Sequence, residues 1–109
     1  MHIQIHSIHF DADKKLITFI HKKVEKLNHF FGSIIRSDVY LKIDKAHSAE
    51  NKVVEIKLSV PGNDMFVKRQ CHSFEMAIEE CINALKKQLA KRKEKIKKKI
   101  TIKNKVGGK

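Results

Sequence analysis

The chain has 109 residues, 41% of them apolar, and 24 Lys/Arg against 12 Asp/Glu, for a formal charge of +12. That length bounds a single domain with a modest core. No run of about 18 apolar residues is present to span a membrane, and two cysteines are too few for a disulfide framework. The opening MHIQIHSIHFDAD lacks the basic start and continuous apolar centre of a signal peptide, so the expectation is a cytoplasmic protein with reduced thiols.

Residues 2–10 alternate, with Ile3 and Ile5 on one side and His2, Gln4 and His6 on the other, which predicts a half-buried strand. Asp13 can cap the helix that follows, with Asp11 as the alternative. Leu16, Ile20, Val24, Leu27 and Phe31 then recur at helical spacing up to Gly32, a suitable C′ glycine. Strands follow over 38–44 and 54–60, and Pro61-Gly62-Asn63-Asp64 is a turn signal because proline presets φ and glycine supplies φ > 0. A strand over 65–71 completes a hairpin. Ser73 is a candidate N-cap for a second helix whose stripe is Phe74, Ile78, Cys81, Ile82, Leu85 and Leu89. The order β-α-β-β-β-α, with a right-handed crossover between the first two strands, predicts an α+β fold. A four-stranded sheet would carry both helices on one face.

The charge is concentrated at one end. Residues 86–109 hold twelve Lys/Arg and the single acid Glu94, whereas residues 1–85 hold twelve basic and eleven acidic side chains. A localised excess of this kind points to a polyanionic partner. At about 100° per residue, Arg92 and Lys99 return to the azimuth of Leu85 and Leu89. A core face does not take two unpaired charges, so the helix is expected to leave the sheet after Leu89. Lys87, Lys91 and Lys95 lie away from the core, and Lys86 and Lys93 form a second flank. Glu75, Glu79 and Glu80 in the first turns suit the helix dipole, but dipole complementation calls for two or three terminal cations, not twelve. On the first helix Lys15, Lys22 and Lys26 share a flank and Lys23 sits nearer the core edge. Two such walls make a basic groove that can track phosphates. The division expected is a domain over 1–97 and a flexible basic tail over 98–109.

Catalytic patterns are missing from the sequence. His2, His6 and His9 have no zinc-site spacing, and Cys71 and Cys81 stand ten apart. Cys81 lies on the apolar stripe and Cys71 at a strand end. There is no Gly-rich phosphate loop and no nucleophile elbow. The expectation is no enzyme, no cofactor, no metal and no small-molecule substrate. Tyr40 is a candidate for solvent exposure and base stacking, but the sheet has no RNP-like aromatic pattern. Arg69 shares a face with Met65 and Val67, as a snorkelling edge residue would.

ADKKLITFIHKKVEKLNHFF, SDVYLKID, VVEIKLSVPGNDMFV and SFEMAIEECINALKKQLAKRKEK together resemble the ribosome hibernation-promoting factor family. That family includes the ribosome-associated inhibitor and is also called the sigma-54 modulation protein family. The resemblance covers residues 1 to about 98. It implies a fold akin to double-stranded-RNA-binding domains and binding to the rRNA of the small ribosomal subunit, in competition with mRNA and tRNA. It also implies inhibition of translation in stationary phase or stress. The positions matching the family's rRNA-contacting ones are Lys23, Lys26, Lys87, Lys91, Arg92, Lys93 and Lys95, with Lys86 a neighbour and Lys22 on the same wall of the groove. The chain resembles a short form, without the C-terminal domain that pairs ribosomes in long members, and is expected to be monomeric off the ribosome. Two other readings fit the same residues: a general double-stranded-RNA binder, and a sigma-factor-modulating or other protein-interaction module.

Overall fold

Alternation of apolar and polar residues in four stretches decides the layers. The computed structural model describes residues 2–107, with side chains described as far as Arg92. Strand β1 (His2–Ser7) is followed by helix α1 (Lys14–Phe31), strands β2 (Arg36–Ile43), β3 (Lys52–Val60) and β4 (Asn63–Cys71), and helix α2 (Phe74–Gly107). The sheet order is β1-β2-β3-β4, with β1 parallel to β2 and the other pairs antiparallel. This is the expected α+β arrangement.

Register puts the apolar residues of adjacent strands side by side. Ile5 pairs with Val39, Val39 with Ile56, and Ile56 with Val67, so one row of a single face is apolar across all four strands. Ser37, Leu58 and Met65 form the next row. Both helices cover this face, and Leu16, Ile20, Val24 and Leu27 of α1 meet Phe74, Ile78, Cys81, Ile82, Leu85 and Leu89 of α2 in one core. Topology makes the two helices run in the same direction, from the β2–β3 loop end of the sheet toward the β3–β4 turn.

The ends of elements are set by local chemistry. Asp13 Oδ1 accepts the Leu16 N–H at 2.8 Å and caps α1. Gly32, at φ 65°, closes α1 by donating its N–H to the Asn28 carbonyl, a left-handed position that glycine takes without Cβ strain. Ser73 Oγ accepts the Met76 N–H at 3.1 Å at the start of α2. Pro61 and Gly62 (φ 84°) form the two-residue turn between the paired Val60 and Asn63. Proline first and a positive-φ glycine second is the type II pattern.

β1 is shorter than its alternation suggests. It ends at Ser7, His9 lies in the left-handed region at φ 64°, and Phe10 turns back to stack on Phe74 with ring centroids 5.3 Å apart. The stack draws the chain off the sheet edge and onto the helix layer before α1 begins. α2 runs unbroken to Gly107, through the division expected at residue 98. Among the described residues no helix is long and apolar enough to cross a membrane.

Leu85 is fully buried where α2 crosses the sheet. Leu85→Ala is expected to lower unfolding free energy by about 2–5 kcal/mol, from lost transfer energy plus the cavity left behind. Denaturant titration of the two proteins checks it, and a loss under about 1 kcal/mol would contradict a close-packed contact at that position.

Candidate nucleic-acid interface

Helical periodicity leaves each helix one uncovered flank, and the cations sit there. On α1, Lys15, Lys22 and Lys26 are exposed. On α2, Lys87 and Lys91 are exposed and Lys86 is half-buried. Among the described residues none of these six is held in an ion pair by a carboxylate. Lys14, Lys15, Thr18, Phe19 and Lys22 line a shallow open concavity on α1. Sequence spacing already put Lys15 on this wall; the part of Phe19 and Lys14 in it depends on side-chain direction.

Two of the expected site residues are engaged within the protein. Lys23 reaches across to α2, its Nζ 2.6 Å from Glu79 Oε1 and 5.5 Å from the centre of the Phe19 ring. Arg92 turns toward the sheet and donates from Nη2 to the Pro61 carbonyl, while its Nη1 is buried without a partner. This is how the helix carries a charge at the azimuth of its own core stripe: the guanidinium caps the β3–β4 turn. Glycine at position 62 is called for by its φ of 84° and not by space, since a Cβ there would stand in ordinary contact, 3.7 Å from Arg92 Nη2. The side chains of Lys93 and Lys95 lie outside the described residues.

The opposite, open face of the sheet carries several internal ion pairs, with the exposed Lys68 outside them. Arg36 donates twice to Asp38, from Nε at 2.9 Å and Nη2 at 3.1 Å, and once to Gln4 Oε1 at 2.9 Å. His6 Nε2 lies 3.3 Å from Asp38 Oδ1, and the His6 ring stacks on Tyr40 at 4.7 Å. Lys42 pairs with Glu55 at 2.6 Å and Lys57 with Asp64 at 3.7 Å. Tyr40 is therefore half-buried under an imidazole, not open to solvent. Arg69 stays at the sheet edge as expected, donating to the Lys68 carbonyl and lying 3.9 Å from Glu80.

The thiols are unactivated. Burial and the neighbouring Glu80 carboxylate push Cys71 up to about 11, and burial pushes Cys81 up to about 12. Among the described residues no group of three or more His, Cys, Asp or Glu could hold a metal ion.

The Sigma 54 modulation protein / S30EA ribosomal protein family matches residues 3–97. The chain belongs to that family. Its members are ribosome-associated, and the match spans the whole sheet, α1 and α2 well past Arg92. The fold is similar to that of a ribosomal subunit interface protein from Coxiella burnetii, with TM-score 0.77 and 21% identity over 86% of this chain and 99% of that one. It is also similar to the N-terminal domain of Protein Y from Thermus thermophilus, with TM-score 0.68 and 19% identity over 82% and 96% of the two chains. Comparison with curated proteins gave no match.

Asp38 supplies a pH test of the ion pairing on the open sheet face. The hydrogen bond from Arg36, helped by His6, holds its carboxyl below the ordinary value against the opposing effect of burial. A depressed folded-state pKa stabilises above the unfolded pKa, and that contribution is lost as pH falls through the folded value. The stability difference between wild type and Asp38→Asn is expected to be full at neutral pH and to shrink steadily below about pH 4. Urea titrations at a series of pH values measure it; a difference that stays constant down to about pH 2 would contradict the charge-assisted pairing.

Proposed function

We propose that the protein is a ribosome hibernation factor of the cytoplasm. It binds the small ribosomal subunit at the decoding region through the cationic flanks of α1 and α2, and it excludes mRNA and tRNA by occupancy. Family membership supplies the ribosome as partner. The observation that supports this mode of binding is a contrast between surfaces: Arg36, Lys42 and Lys57 of the sheet each have a carboxylate partner, while among the described residues no carboxylate holds the exposed Lys22, Lys26, Lys87 and Lys91 or the half-buried Lys86 on two adjacent helices. Unpaired cations in parallel rows fit phosphate backbones, and their affinity comes largely from released counterions. Lys93 and Lys95 follow in the same helix. Inhibition by occupancy needs no catalytic group.

Arg92 and Lys91 separate the roles of the basic residues. Lys91→Ala is expected to reduce the log–log salt slope of small-subunit binding by about one unit and to leave the unfolding midpoint nearly unchanged. Arg92→Ala is expected to do the reverse, since its guanidinium is spent on the Pro61 carbonyl. Filter binding at four or five salt concentrations, with a thermal melt of each variant, reads both. A salt-insensitive wild-type complex would sink the electrostatic mode altogether.

Occupancy makes a second expectation. Small subunits preloaded with mRNA and initiator tRNA should bind the protein far more weakly than vacant ones in a pelleting assay. Reversing charge at Lys87, Lys91 and Lys95 together should abolish binding to both. Equal binding to vacant and loaded subunits would show that the site is not the one mRNA and tRNA use.

A further inference from the structure

Phosphate contacts leave one residue of the helix groove unused. Phe30, in the last turn of α1, is 60% exposed. At about 100° per residue, Lys15, Phe19, Lys22, Lys26 and Phe30 fall within an arc of about 80° on α1. Two aromatic rings are thus interleaved with three cations on one flank. The ring of Phe19 is already served, being half-buried with Lys23 over it at 5.5 Å. Among the described residues Phe30 makes no ring stack and no cation–π contact.

The position of Phe30 in the groove follows from the Lys23–Glu79 pair. The helices run in the same direction, so seven residues on from Lys23 is level with seven residues on from Glu79. That sets Phe30 level with Lys86, which is half-buried and on the α1 side of α2. Lys26, one turn earlier on α1, is exposed on the same flank. Ile35, just beyond the Gly32 cap, is also 60% exposed. Phe66 is exposed as well, but it stands on the open sheet face, away from the helix flanks.

We propose that Phe30 is a base-stacking residue: it receives an unpaired nucleobase of the RNA whose phosphates Lys26 and Lys86 hold. The inference rests on the rRNA-binding reading above and adds a requirement to it, that the RNA present a splayed base at this end of the groove. Unstacked bases of loops and single strands take aromatic faces in this way, with cations alongside on the backbone. A paired duplex offers no such face, so the residue also discriminates against continuous double-stranded RNA.

The test uses the full chain and purified vacant small ribosomal subunits at one fixed salt concentration. Phe30→Ala and Phe30→Leu are expected to weaken binding roughly 5- to 150-fold, while Phe30→Trp binds as well as wild type. The salt slope should be the same for all four proteins, because no phosphate contact is lost. Their unfolding midpoints should agree closely, because the side chain is exposed. The chain contains no tryptophan, so Phe30→Trp also gives a single reporter whose emission is quenched when the indole stacks on a base. Wild-type affinity in Phe30→Leu, or a blue-shifted and brightened indole, would mean an apolar pocket of a ribosomal protein and would overturn the proposal. Unchanged binding by every variant would overturn it while leaving ribosome binding intact. Failure of the wild type to bind would remove the rRNA-binding reading itself, and the stacking proposal with it.

Discussion

The apolar stripe of α2 from Phe74 to Leu89 is the constraint on which the rest of this protein depends. It is the part of α2 that the sheet can hold, and it ends where the sheet ends. Beyond it the sequence offers Arg92 at the azimuth where a core residue would stand. A charge in that position is not taken into the core; Arg92 stays half-buried at the sheet's end, where its guanidinium donates to the Pro61 carbonyl. The helix is thus fastened to the sheet by apolar contact along one stretch and by a single polar tie at its exit. Cationic residues after the tie belong to the same rigid element as the core residues before it, so burial in the core sets the direction in which the charge is presented.

One-sidedness of the electrostatic field follows from how the two faces use their cations. On the open sheet face, Arg36, Lys42 and Lys57 each have a carboxylate in reach, and the field of such pairs dies away within a few ångströms in salt. On the helix flanks, Lys23 aside, the cations lack such partners among the described residues, and their potentials add. Three of the four acids of α2, Glu75, Glu79 and Glu80, are gathered in its first turns, and only Glu94 stands in the basic end. A chain of mixed charge therefore behaves toward a polyanion as an oriented object, steered by one end.

What was legible in the sequence is what depends on neighbours in the chain. Alternation marked the four strands, and the caps at Asp13, Gly32 and Ser73 stood out because each is a local hydrogen-bonding role filled by a suited residue. The apolar stripe marked Leu85 and Cys81 as core. The rest depends on residues distant in sequence. Nothing in the local pattern says that β1 stops at Ser7, since the cause is a stack between Phe10 and Phe74. Parallel register, not composition, sets His6 against Asp38 and Tyr40. Lys23 and Lys22 are adjacent and chemically identical, yet one crosses to Glu79 and the other does not. Azimuth alone gave Lys23 as nearer the core edge, and only the packing of α1 on α2 says which residue it meets there.

The Lys23–Glu79 pair shows how a residue can be structural in the free protein and still count in the proposed complex. Both side chains remain partly exposed, and a pair of that kind contributes at most about 1 kcal/mol. Exchanging Glu79 for a phosphate oxygen would therefore cost the fold little. Arg92 differs, because its partner is a backbone carbonyl in a tight turn and the exit of α2 rests on it. In the proposed complex, then, Lys23 can exchange its carboxylate for a phosphate, whereas Arg92 keeps its place against the turn. Of the two cations engaged within the protein, one is free to change partner and the other belongs to the fold.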